Sequence, residues 1–163
     1  MINKEYILME VFYMSKQFEM TRSAFLSFVK DLDEETADMQ VRYFNNTIRW
    51  HIGHVLVTAE GLLFGYPKQS TNFPEGYNKL FASGTKPADW DTEAPELSVL
   101  VECLEEQQPR INELSEDFFK QDLPYTLPFG NFKTYGDIYE MIIQHESEHL
   151  GKMKAMKQVV QAQ

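Results

Sequence analysis

Four long stretches of this chain space their apolar residues at steps of three and four, and none alternates them in twos. That periodicity puts the apolar side chains of each stretch on one face of a helix and leaves nothing to pair as a sheet. The expected fold class is therefore all-α, an antiparallel four-helix bundle. The first helix is expected from about Lys4 to Lys30, with Ile7, Leu8, Val11, Phe12, Met14, Phe18, Phe25, Phe28 and Val29 recurring along it. The second is expected from about Thr47 to Phe64, capped by Asn46 or Thr47 and ended by Gly65 and Pro67. Ile48, Ile52, Val55, Ala59 and Leu62 form its stripe. The third is expected from about Pro95 to Phe119, with a kink or break at Pro109, which lacks a backbone donor. The fourth is expected from Thr134 to about Gln161, opened by a capping box of Thr134 and Asp137. Ile138, Ile142, His145, His149, Met153 and Met156 form its stripe.

The connections carry their own signals. Asp31 to Asn46 is expected to hold a short turn of helix at Asp33 to Asp38. Tyr66 to Ala94 is a long crossover between the second and third helices, with Phe73, Tyr77, Phe81 and Trp90 in it. A connection this long needs local structure or a function, and a short helix is expected near Glu75 to Ser83. Lys120 to Lys133, with Pro124, Pro128 and Gly130, reads as a loop.

At 163 residues the chain fits one domain, 1–163, and buries enough surface to fold without disulfides or a structural metal. Its single cysteine, Cys103, excludes a disulfide framework and reads as a small buried hydrophobe. The net charge of −10 argues against a nucleic-acid partner. The charge is local: residues 89–122 hold eleven acids and two bases, which is −9, and the rest of the chain is −1. A solvated helix face explains it better than an acidic docking site. No apolar run suits a leader or a membrane span, so a cytoplasmic location with no membrane partner is expected.

All four histidines fall in two pairs. His145 and His149 are one turn apart on the apolar stripe of the fourth helix, and His51 and His54 share a side of the second. Buried imidazoles without partners are costly, because both ring nitrogens need one. Two pairs on neighbouring helices can share a divalent metal. Residues 145–149 match the H-E-x-x-H pattern of zinc proteases. The downstream third ligand of such proteases is missing: the last fourteen residues contain no histidine and no acid. A third ligand must then come from upstream, and His54 or His51 is the histidine choice.

Asn45-Asn46-Thr47-Ile48-Arg49-Trp50-His51-Ile52-Gly53-His54, followed by Glu60, resembles the second-helix signature of the DinB/YfiT-like superfamily. His145-Glu146-Ser147-Glu148-His149-Leu150-Gly151 resembles its fourth-helix signature. The long crossover and the late Thr134-Tyr135-Gly136-Asp137 helix start are similar too. The resemblance implies a four-helix bundle, commonly a homodimer, in which His54, His145 and His149 hold a divalent metal. His51 would be a bystander or a support for the ligands. Lys152 stands where relatives often carry glutamine.

Three neutral imidazoles leave coordination positions open and the metal charge uncancelled, which favours an acidified water or a deprotonated thiol. The superfamily includes transferases of low-molecular-weight thiols such as bacillithiol. The leading expectation is a metal-dependent thiol transferase acting on small electrophiles, with zinc or nickel as the metal and the thiol as cosubstrate. The alternatives are a stress-related protein that binds metal or a small ligand without turnover, and a hydrolase using metal-bound water. Glu146, about 100° around the helix from His145 and so turned toward a neighbouring helix, is the candidate catalytic carboxylate, orienting a ligand or accepting a proton; a surface carboxylate is the alternative. Glu60 reads as structural, and Trp50, Tyr135 and Tyr139 read as core or pocket lining.

Overall fold

The computed structural model describes residues 4–65, 74 and 76–162, with side chains from residue 16 onward. Its helices are α1 (Lys4–Lys30), α2 (Glu34–Asp38), α3 (Ile48–Phe64), α4 (Gly76–Phe81), α5 (Leu97–Asn112), α6 (Glu116–Phe119) and α7 (Tyr135–Gln161). No strand occurs among the described residues, where an isolated bridge joins Asp122 to Thr134. The expected apolar positions Ile7 to Met14, Phe73 and Pro67 lie outside the described side chains. No described helix is long and apolar enough to cross a membrane.

The caps set the helix starts. The Asp33 side chain accepts from Thr36 N and starts α2, and Thr47 accepts from Trp50 N and starts α3. Thr134 and Asp137 form the full capping box of α7. The third expected helix is instead two. Pro109 sits exposed inside α5 and costs only the one hydrogen bond its nitrogen would have donated, so the helix runs on to Asn112. Ser115 then caps the separate α6 through Phe118 N. Pro95 lies before α5 rather than in its first turn, and its carbonyl accepts from Arg49 Nη1 at 2.8 Å.

Helices α1, α7, α3 and α5 close a ring in which each packs against the next. Side-chain pairs give their directions. His51 meets His149 and His54 meets His145, so α3 and α7 run antiparallel. Phe18 meets Tyr139, Arg22 meets Glu146 and Asp31 meets Lys157, so α1 and α7 run parallel. Leu56 meets Gln107 and Glu60 meets Arg110, so α3 and α5 are parallel as well. The expected antiparallel relation therefore holds across α3–α7 and, by closure of the ring, across α1–α5, but not around the whole bundle. Two parallel neighbours joined in sequence require a connection that travels back along the bundle. This is the physical reason for the long crossover between α3 and α5, whose helix α4 packs on α3.

Helix α3 is the inner helix. Fourteen of its seventeen residues are buried, so it is enclosed nearly all round rather than along a single stripe. The acids of 89–122 are exposed except for half-buried Glu116, as a solvated face requires. Glu105 reaches Lys30 at 2.6 Å on that face.

One polar network ties the four long helices together inside the bundle. Arg22 and Glu146, both 0% exposed, pair through Nε–Oε1 at 2.8 Å and Nη2–Oε2 at 2.9 Å. Arg22 also donates to Leu104 O and Gln107 Oε1. Gln107 donates in turn to Leu56 O and Glu60 Oε2, and Arg110 donates to both Glu60 oxygens. Removing one partner of a buried pair leaves an uncompensated charge, which typically costs about 3–5 kcal/mol. Arg22→Met should therefore lower the unfolding free energy obtained from urea titration by an amount in that range. Pairing it with Glu146→Leu should recover part of the loss, because no lone carboxylate then remains.

Candidate metal centre

The four histidines meet at the α3–α7 seam. His54 and His149 are 8% and 7% exposed, and His145 is half-buried at the open side of the cluster. One ring nitrogen from each of His54, His145 and His149 lies within 4.8 Å of the others. His54 Nε2 and His145 Nε2 are 3.2 Å apart. Two nitrogens on one tetrahedral zinc, with bonds of 2.0–2.1 Å, lie about 3.3 Å apart, so the observed spacing fits a shared ion.

The crossover fixes the orientation of His54. Its Nδ1 lies 2.8 Å from the Phe81 carbonyl, an acceptor, so Nδ1 carries the hydrogen and the Nε2 lone pair is free. Trp50 stacks on the same ring at 4.4 Å and 12°, and its indole nitrogen donates to Thr85 Oγ1 at 2.9 Å. Phe81 can approach because residue 53 is glycine: a Cβ there would lie 2.3 Å from the Phe81 ring. His51 is 6% exposed, and its Nδ1 lies 2.7 Å from His149 Nδ1.

The cluster is neutral. Burial lowers the pKa of all four rings, to about 4 for His51 and His145 and to about 2 for His149, with further depression by the neighbouring imidazoles and Lys152. His54 is lowered by burial against the opposing effect of its bond to Phe81. Neutral imidazole is the ligand form, so the pocket holds its donors ready at pH 7. Lys152, on the exposed side of α7, is held by Glu148 at 2.6 Å.

The expectation for Glu146 is corrected. Both its oxygens are engaged by Arg22 in the interior, so it has no free oxygen with which to take a proton. One residue is about 100° of helix, and that rotation carries Glu146 from the histidine seam to the α1 side. Glu60 is structural, bound by Gln107 and Arg110. Tyr135 and Tyr139 pack in the core with Phe118 and Phe119. Cys103 is half-buried against Tyr77, and burial with nearby Glu106 and Glu102 raises its pKa, which keeps the thiol protonated. The Phe81 carbonyl and the Arg22 partner were not among the expected site groups. Gly53 was the available signal for the first, since a glycine within a helix marks a close approach.

A family model described as the DinB superfamily matches residues 17–153. No curated protein matches. A crystal structure of a conserved protein from Enterococcus faecalis is similar in fold, with a TM-score of 0.65 at 11% identity, covering 93% of this chain and 96% of that one.

Two outcomes follow from the geometry. Gly53→Ala forces Phe81 away, which should cost about 1–3 kcal/mol in urea unfolding and weaken metal uptake through His54. The metal-free protein should also be acid-sensitive. Its folded histidine pKa values lie below the unfolded value of about 6.5, so stability is full above that pH. It falls between about 6.5 and about 4 as the unfolded chain binds protons that the folded chain refuses. Urea midpoints across that range check this, and His149→Gln should flatten the dependence.

Proposed function

The chain belongs to the DinB superfamily, and from that premise we propose that His54, His145 and His149 hold one divalent ion, zinc or nickel, in a thiol S-transferase. The reaction proposed joins a low-molecular-weight thiol of the bacillithiol type to a small electrophile. The observation that carries the reading is the neutral donor set, with His54 Nε2 and His145 Nε2 at 3.2 Å and no carboxylate among the described residues of the cluster. An ion held by three neutral imidazoles keeps its full +2 charge, which lowers the pKa of a bound water or thiol toward neutrality.

The chain's own groups prepare the site. Phe81 O fixes the tautomer of His54, and Trp50 fixes the plane of its ring. Burial on the α3 side excludes water from behind the ligands, and His145 faces the opening. Glu146 fixes the rotational setting of α7 through its pair with Arg22.

Metal analysis of purified protein should give one ion per chain. His54→Ala, His145→Ala and His149→Ala should each abolish it, and full retention in all three would sink the reading. Incubation of loaded protein with bacillithiol and a chromogenic electrophile should give conjugate above the thiol-only rate. Product released without thiol would show hydrolysis, and no turnover of any kind would leave a binding protein.

A further inference from the structure

We infer that His51 is a positioning residue for the metal centre: its Nδ1 accepts the Nδ1–H of His149, which leaves His149 Nε2 free for the ion. The inference rests on the three-histidine reading above. At 2.7 Å the two Nδ1 atoms are closer than the roughly 3.3 Å expected for two nitrogens on one tetrahedral ion, so they share a hydrogen rather than a metal. One ring then carries the N–H and the other the lone pair. Both rings are buried, so neither nitrogen has bulk water as a substitute partner.

The direction follows from what a ligating imidazole needs. Its second nitrogen donates to a fixed acceptor, which sets the tautomer and raises the basicity of the ligating nitrogen. His54 uses the Phe81 carbonyl for this purpose. The acceptor at His149 Nδ1 is the imidazole of His51. If the hydrogen lay the other way, His51 would donate, His149 would carry its hydrogen on Nε2, and that nitrogen would have no lone pair to offer.

The antiparallel register of α3 and α7 builds this arrangement. His54 lies opposite His145, and one turn back His51 lies opposite His149. Trp50 meets His51 edge-on at 5.2 Å and lies tilted by 44° to His149 at 6.4 Å, so one indole borders the supporting ring as well as the ligands. A histidine pair on α3 thus divides its labour, one ring toward the ion and one behind a ligand.

The test uses full-length, 15N-labelled protein. In metal-free wild type at pH 7.5, long-range proton–nitrogen spectra should show His149 protonated on Nδ1 and His51 on Nε2. The opposite tautomers would overturn the inference. Zinc affinity, read by competition with a chromophoric chelator, should weaken about 10–100-fold in His51→Phe, the usual effect of losing such a support. His51→Gln, which restores an acceptor oxygen, should recover most of that loss. Equal affinity in wild type and His51→Phe would overturn the inference. So would equal weakening in both variants, since a mere packing role predicts that. If His51→Phe does not fold, the wild-type tautomers and the His51→Gln affinity decide. If wild type binds no zinc, the functional reading fails by itself, and the tautomer spectrum still decides whether His51 supports His149.

Discussion

The Arg22–Glu146 ion pair is the constraint on which the rest of the bundle depends. Two charges with no exposed surface can be tolerated only where every donor and acceptor finds a partner. Here the partners come from α1, α3, α5 and α7 together, through Leu104, Gln107, Glu60, Arg110 and the Leu56 carbonyl. Apolar contacts alone would tolerate a small rotation or slip of any helix. A bidentate pair at 2.8 and 2.9 Å does not. Because Glu146 is fixed toward α1, His145 and His149 on either side of it in sequence are fixed toward α3. The network thus sets the orientation of the histidine cluster without touching it.

The topology serves the same end. With α3 and α5 parallel, the crossover must travel the bundle, and in doing so it brings α4 against α3. The Phe81 carbonyl at the end of α4 then orients His54, and Gly53 makes the room. Local chain economy would have favoured a short α3–α5 turn and an antiparallel pair. The longer path supplies an acceptor to the His54 ring, which lies deep in the inner helix.

Much of this was legible in the sequence because the signals were local. Periodicity and the side chains of Thr47, Thr134 and Asp137 located α3 and α7 to within a residue or two. Spacings of three and four brought the histidines to one seam. Helix direction was not legible, since neither periodicity nor capping records which neighbour a helix meets. Nor did a single stripe reveal that α3 is enclosed on nearly every side. The ion pair did leave a trace. Arg22 is four residues after Phe18 and three before Phe25, and Glu146 is four after Ile142 and four before Leu150. Opposite charges on two apolar stripes signal a buried pair; the rotation of Glu146 toward a neighbouring helix was legible, but its partner Arg22 was overlooked. The helix break after Asn112 was misplaced because one missing donor at Pro109 is a small loss beside the packing of Leu104 and Ile111.

The central claim is that three imidazoles from two helices converge on one ion. Anomalous diffraction at the zinc edge, from crystals of zinc-loaded protein, tests it most directly. One peak is expected at the α3–α7 seam, with His54, His145 and His149 nitrogens at about 2.0–2.1 Å. A zinc site bounded by other residues, or no peak at that seam, would contradict it.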